Sequence, residues 1–196
     1  MYGMFQDASS FNADLGAWDV SEVTLMYKMF YKATAFNGDL SAWDVSKVTD
    51  MSWMFYSTTS FNADLGAWDV SEVTLMDTMF YKAAAFNGDV SDWDVSKVTR
   101  MGSMFDGATA FNGDLSTWDV ASVVSMQMMF HEAIAFDRDL GWCVDDNVIL
   151  TGAFAGTKCA DGADAAEDQY TYYSDENTAE AVAMAAECGV DVQADC

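Results

Sequence analysis

The sequence predicts an α/β repeat solenoid, with one short parallel β-strand per 25-residue repeat and a C-terminal cap containing a helix. Three observations predict it. The chain matches itself at an offset of 25, with Phe5, Phe30, Phe55, Phe80, Phe105 and Phe130 in one register and Trp18, Trp43, Trp68, Trp93 and Trp118 in another. Each Trp is followed by Asp and then Val. All four cysteines lie beyond the last clear repeat. A period in the range of 20–50 residues is the signature of stacked repeats.

The elements follow from the unit itself. Leu15, Trp18 and Val20 are spaced as L-x-x-W-x-V, the spacing of a leucine-rich-repeat strand. Alternation along that strand turns Trp18 and Val20 inward and Ala17, Asp19 and Ser21 outward. Met26, Met29, Phe30 and Ala33 come next at steps of three and four, which predicts a helical turn or two. Phe36 closes the unit, and the Asn-Gly-Asp at Asn37–Asp39 predicts a turn into the next. A single unit offers about nine apolar side chains at roughly 1.5–3 kcal/mol each. Ordering its backbone costs about 1–2 kcal/mol per residue. The two sums are comparable, so stability has to come from stacking on neighbours.

Met1 shares the register of Met26, so the chain opens in the middle of a unit, and truncation at the N-terminus is expected. Stacking of two molecules end to end at that first unit is the alternative. Domain organisation is read as a repeat region over residues 1–142 and a cysteine-containing cap over 143–196. At their junction the register slips, because Ala153 and Phe154 arrive one residue early relative to Met129 and Phe130. Within the cap, Thr178 to Cys188 is Ala-rich and predicts a helix, started by Asp175 or Thr178 and ended by Gly189. Cys143, Cys159, Cys188 and Cys196 predict two disulfides and an oxidising compartment. Of the three pairings possible, Cys143–Cys159 with Cys188–Cys196 is the expectation.

Composition narrows the function classes. The 196 residues are 52% apolar, which is too many for a disordered acidic tail. A net charge of −24 disfavours nucleic acid and anionic membrane surfaces, both of which need clustered Lys and Arg. No apolar run is long enough to predict insertion of this segment into a membrane. No nucleophile elbow, Gly-rich phosphate loop or calcium-loop pattern is present. Identical positions repeated along a stack build a poor asymmetric catalytic centre, so the protein reads as no enzyme. His131, in the column of Tyr31, Tyr56, Tyr81 and Asp106, reads as a surface residue rather than a base.

The candidate site is the row Asp19, Asp44, Asp69, Asp94 and Asp119, flanked by Ser21, Ser46, Ser71 and Ser96. Stacked strands lie about 4.8 Å apart. Neighbouring carboxylates at that spacing repel by roughly 3–4 kcal/mol at an effective dielectric near 20. Either the row holds calcium, another divalent cation, a mineral or a basic partner, or each Asp accepts hydrogen bonds from nearby hydroxyls and backbone. A second column, Asp14, Asp39, Asp64, Asp89, Asp114 and Asp139, sits at turn positions and reads as structural, as do the asparagines from Asn12 to Asn112.

The segments FNGDLSAWDVSKVTDMSWMF and FNGDVSDWDVSKVTRMGSMF resemble the BspA-type leucine-rich repeats, also called PARCEL repeats. The resemblance covers residues 1 to about 142. It implies a right-handed coil on the outside of a cell, used for adhesion or for recognition of a surface protein or glycan, with no catalytic residue to carry over. The concave strand face, with the Asp19 and Ser21 rows, is the binding surface this resemblance leads one to expect. Neither a secretion signal nor a lipid-attachment cysteine accompanies it in the sequence.

Overall fold

Each unit is a succession of tight turns. The computed structural model describes residues 1–160 and 178–194. Among these residues the regular elements are β1 (Trp142–Val144), α1 (Ala179–Glu187) and β2 (Val190–Val192). The expected α/β leucine-rich-repeat-like coil, with one parallel strand per repeat, is therefore overturned. What repeats is a single bridging residue per unit, in the series Leu25, Asp50, Leu75, Arg100, Ser125 and Ile149.

Backbone hydrogen bonds explain both errors. In the segment expected to be helical, the N–H groups of Met29, Tyr31 and Ala33 donate three residues back, to Met26, Lys28 and Phe30. Those of Lys28, Phe30 and Lys32 point the other way, to the carbonyls of Ser52, Met54 and Tyr56 in the next unit. Lys28 and Lys32 have φ of 58° and 57°, and this left-handed backbone prevents the i to i−4 ladder of a helix. Apolar spacing of three and four arises here because successive turns bring side chains back to one side. In the segment expected to be a strand, Trp18 N–H donates to Leu15 and Val23 N–H to Val20, so L-x-x-W and V-x-x-V are turns. The units are joined there by side chains, as the Trp43 indole N–H donates to Leu15 O at 2.9 Å and Trp68 does the same to Leu40 O at 3.0 Å.

Stacking is in register from unit to unit. Phe30, Phe55, Phe80, Phe105 and Phe130 form a buried column with ring centroids 5.4–5.6 Å apart. A second Phe column runs beside it, with Phe80 and Phe86 only 3.9 Å apart within one unit. Trp68, Trp93, Trp118 and Trp142 stack at 6.4 Å. Trp18, in the first unit, is 38% exposed. The asparagines form a ladder, since Asn12 Oδ1 accepts from Asn37 N at 2.9 Å and the pattern continues to Asp137.

The register slip is absorbed without a break. Met126 N–H bonds Ile149 O and Phe130 N–H bonds Ala153 O, each one residue sooner than the equivalent bonds upstream. The segment read as a helix from Thr178 to Cys188 is helical over Ala179–Glu187, and Thr178 Oγ1 accepts from Ala181 N at 3.1 Å. Asp175, the other capping candidate, lies outside the described residues, as does Cys196. β2 pairs in parallel with β1, and Ala181, Met184 and Ala185 of α1 are buried. Gly189, at φ 76°, is required, because a Cβ there would stand 1.9 Å from Asp139 Oδ1.

The disulfide pairing needs correction. Cys159 bonds Cys188, so neither Cys143–Cys159 nor Cys188–Cys196 forms. Cys143 is also disulfide-bonded. Packing of α1 against the last unit brings together two cysteines 29 residues apart in sequence.

Candidate functional site

The Asp19 row exists, but its carboxylates are engaged by their own turns. Asp19 Oδ1 accepts from Ser21 N at 3.1 Å and from Ser21 Oγ at 2.6 Å. Asp44 with Ser46, Asp69 with Ser71, and Asp94 with Ser96 repeat the arrangement at the same distances. Asp119 keeps the backbone bond, at 3.1 Å, to Ala121. The serine hydroxyl, and next its backbone N–H, hold the carboxyls of Asp19, Asp44 and Asp94 below the ordinary range. For Asp44, the charge of Asp19 is the smallest influence acting on it. At Asp19, Asp44 and Asp94 the strong mutual repulsion expected along the row is thus outweighed by local hydrogen bonds. Among the described residues, no group of three His, Cys, Asp or Glu side chains converges to hold a metal. Nor is there a strand face for the row to lie on.

The second acidic column works alike. Asp14, Asp39, Asp64, Asp89, Asp114 and Asp139 each accept from the backbone N–H two residues on. Glu22 pairs with Lys47, and Glu72 with Lys97 at 2.6 Å, so the alternation of sign along that row becomes two exposed ion pairs.

A different surface stands out. Tyr31, Tyr56 and Tyr81 form a stack with centroids 4.6 Å apart. Trp53 lies beside it, 5.1 Å from Tyr56, and Tyr2 stacks on Tyr27 at 5.2 Å. Lys28 Nζ sits 5.1–5.3 Å from the rings of Tyr27, Tyr31 and Trp53. Lys32 covers Tyr31 at 5.1 Å and Lys82 covers Tyr81 at 5.0 Å, so an ammonium group closes each end of the tyrosine stack. Burial, and then the phenols of Tyr81 and Tyr31, push the Tyr56 hydroxyl up from its ordinary value. A hydrogen bond to the Tyr81 hydroxyl leads the causes that raise the Lys82 ammonium.

Charge marks the strip out further. Lys47, Lys97 and Lys158 pair with Glu22, Glu72 and Asp137. Among the described residues, Lys28, Lys32 and Lys82 have no carboxylate within ion-pairing distance, in a chain with 32 acidic residues and 8 basic ones. Two carboxylates border the strip: Asp77, whose Oδ1 accepts from Gly102 N at 3.1 Å and whose Oδ2 lies 2.9 Å from Arg100 Nε, and Asp106, whose Oδ1 lies 3.1 Å from His131 Nδ1. Burial raises the Asp77 carboxyl, with Arg100 opposing.

Two rows of left-handed backbone run through every unit, with Asp7, Ser57, Thr78, Ser103, Met128 and Glu132 in the same rows as the strip residues. Lys28, Trp53, Lys32 and Lys82 all have φ between 52° and 64°. Left-handed backbone costs a side chain about 1–2 kcal/mol that glycine does not incur. In these same two rows Gly3, Gly107, Gly152 and Gly156 show that glycine fits.

The strip was visible in the sequence only as variation. Residues 27–32 read YKMFYK and 77–82 read DTMFYK, in positions that change from unit to unit and so fall outside any repeat consensus. At the end of the Tyr row, His131 is not a loose surface residue as expected. It is half-buried, with Nδ1 3.1 Å from Oδ1 of buried Asp106.

No helix among the described residues is long and apolar enough to cross a membrane. No curated protein and no solved structure matches the chain. Residues 1–74 and 54–163 match the sequence model of the family described as Mycoplasma protein of unknown function, DUF285, and the chain belongs to that family.

Proposed function

We propose that the protein is a non-enzymatic recognition protein, working outside the cell, that holds a surface molecule on the strip formed by Tyr31, Tyr56, Tyr81, Trp53 and the three lysines. The observation that carries this reading is the segregation of unpaired lysines. All three lysines that lack an acidic partner among the described residues stand beside the stacked tyrosines, in a strongly acidic chain. Aromatic side chains beside cations are the groups enriched where proteins bind other molecules tightly. The Cys159–Cys188 disulfide favours an oxidising compartment. Adhesion or recognition was also what the resemblance to BspA-type repeats implied, with the Asp and Ser rows as the expected face; those residues serve their own turns.

The test is a binding screen against immobilised glycans and surface proteins, run with the wild type, Tyr56→Ala and Asp44→Asn, with thermal unfolding checking that each variant is folded. Binding weakened by Tyr56→Ala and untouched by Asp44→Asn is the expected result. The reverse pattern, or silence across the panel, overturns the assignment.

A further inference from the structure

We infer that the ligand of this strip is an acidic polysaccharide, a sugar chain carrying spaced carboxylate groups, laid along the stack of units from Tyr2 and Tyr27 towards Tyr81. The inference rests on the reading of the strip as a binding surface and adds the class of ligand.

The strip is a run of hydrogen-bond donors. One tyrosine per unit, at a repeat of 4.6 Å, sets Tyr31, Tyr56 and Tyr81 in a line, with Lys28, Lys32 and Lys82 beside it. Ammonium groups only donate hydrogen bonds, and phenols donate readily. A line of donors calls for a chain rich in acceptor oxygens, and sugar hydroxyls, ring oxygens and carboxylates supply them. The rings of Tyr2, which is 70% exposed, and of half-buried Trp53 offer apolar surface for the C–H faces of sugar rings.

A sugar chain fits this surface better than a peptide does. Extended peptides are captured by free backbone groups at a sheet edge or by pockets for alternate side chains. Here the backbone is already committed, since the N–H groups of Lys28, Lys32, Trp53 and Ser57 donate to the carbonyls of Ser52, Tyr56, Asp77 and Tyr81.

The charge of the chain limits the charge density of its ligand. A net charge of −24 repels any polyanion. Screening over a Debye length of about 8–10 Å leaves the three lysines felt on the strip and weakens the acidic rows elsewhere. A polymer with carboxylates separated by uncharged hydroxyl groups gains from the lysines with little of that repulsion, whereas the denser phosphates of duplex DNA incur more of it.

The experiment measures binding of the whole chain to polygalacturonate, neutral dextran, poly-glutamate and duplex DNA, at about 0.1 M salt, by calorimetry. Polygalacturonate is expected to bind, and dextran is not. Lys28→Gln, Lys32→Gln and Lys82→Gln together are expected to weaken that binding by about tenfold or more, while Lys47→Gln with Lys97→Gln leaves it unchanged. Equal binding of dextran and polygalacturonate, insensitive to the lysines, overturns the acidic assignment. So does poly-glutamate or DNA binding as tightly as the polysaccharide. If none of the four binds while the panel above finds a ligand sensitive to Tyr56→Ala, this ligand class fails and the strip stands as a recognition surface. A panel that is silent as well removes both.

Discussion

Two surfaces of the same units have opposite chemistry. Along the Asp19 row the residue is Asp in five successive units, and each of these carboxylates is held by the turn it belongs to. Along the Tyr31 row the residues read Tyr, Tyr, Tyr, Asp, His, and the lysines beside the tyrosines have no acidic partner among the described residues. The comparison teaches that uniformity in a stacked repeat marks a position solving a problem internal to the unit. A row that changes from unit to unit has been released from that duty. What it displays in one place only, three tyrosines flanked by lysines, is where something other than the repeat decides the side chain.

The largest expected effect breaks the comparison by removing what both surfaces share. Phe80 is fully buried, between Phe55 at 5.4 Å and Phe105 at 5.5 Å, with Phe86 at 3.9 Å. Phe80→Ala deletes a ring from the column that all units rest on, and a buried Phe→Ala change costs about 3–5 kcal/mol. Denaturant unfolding is expected to show a loss of that size, with binding on the strip lost in the same variant. A loss below about 1 kcal/mol would mean that the columns close around the gap and that the units are not held mainly by these rings.

How far such rows could be read beforehand follows from what each kind of residue reports. The Phe, Trp and Met registers go inside because a side chain repeated at a fixed offset of 25 meets its own copies on either side. The path of the backbone was not legible. Apolar spacing at three and four is common to a helix and to consecutive three-residue turns, and L-x-x-W fits a turn closed from Trp18 to Leu15 as well as it fits a strand. The feature that decides between them, left-handed backbone at positions such as Lys28 and Trp53, is occupied here by residues that give no local sign of it. The Cys159–Cys188 bond depends on where α1 docks, which spacing does not reveal. The strip was hidden for a related reason. A search for the repeat consensus keeps Asp19 and discards Lys28, Tyr31 and Trp53.

A smaller effect, of opposite sign, sharpens the comparison. Lys32 is exposed and has φ 57°, a conformation that glycine adopts freely. Lys32→Gly relieves about 1–2 kcal/mol of left-handed strain and gives back about 0.5–1 kcal/mol through the looser unfolded chain. A net gain of roughly 0.5–1 kcal/mol is expected in denaturant unfolding, together with weaker binding on the strip. A variant less stable than the wild type would show that the packing of Lys32 on Tyr31 outweighs the strain of its backbone.

The smallest effect concerns the acidic row, where two influences oppose. Asp19→Asn, Asp44→Asn and Asp94→Asn together keep an oxygen to accept from Ser21, Ser46 and Ser96 while removing three negative charges. Less charge relieves repulsion in a chain at −24 and favours the variant; loss of the charged acceptor weakens the serine hydrogen bonds and favours the wild type. The hydrogen bonds are expected to win, because at Asp44 the serine leads the influences on the carboxyl and the charge of Asp19 comes last. The pH dependence then has a fixed sign. A carboxyl held below its ordinary value of 3.8 in the fold contributes stability that is complete well above 3.8 and is lost as pH falls through the lowered folded value. The wild type should therefore melt higher than the triple variant at pH 7, and the gap should close as the pH is taken below about 3.8. Binding on the strip at pH 7 should be the same in both. A gap that stays constant with pH would mean that these carboxylates do not stabilise their turns through charge, and a variant that melts higher at pH 7 would mean that repulsion along the row outweighs the serine bonds after all.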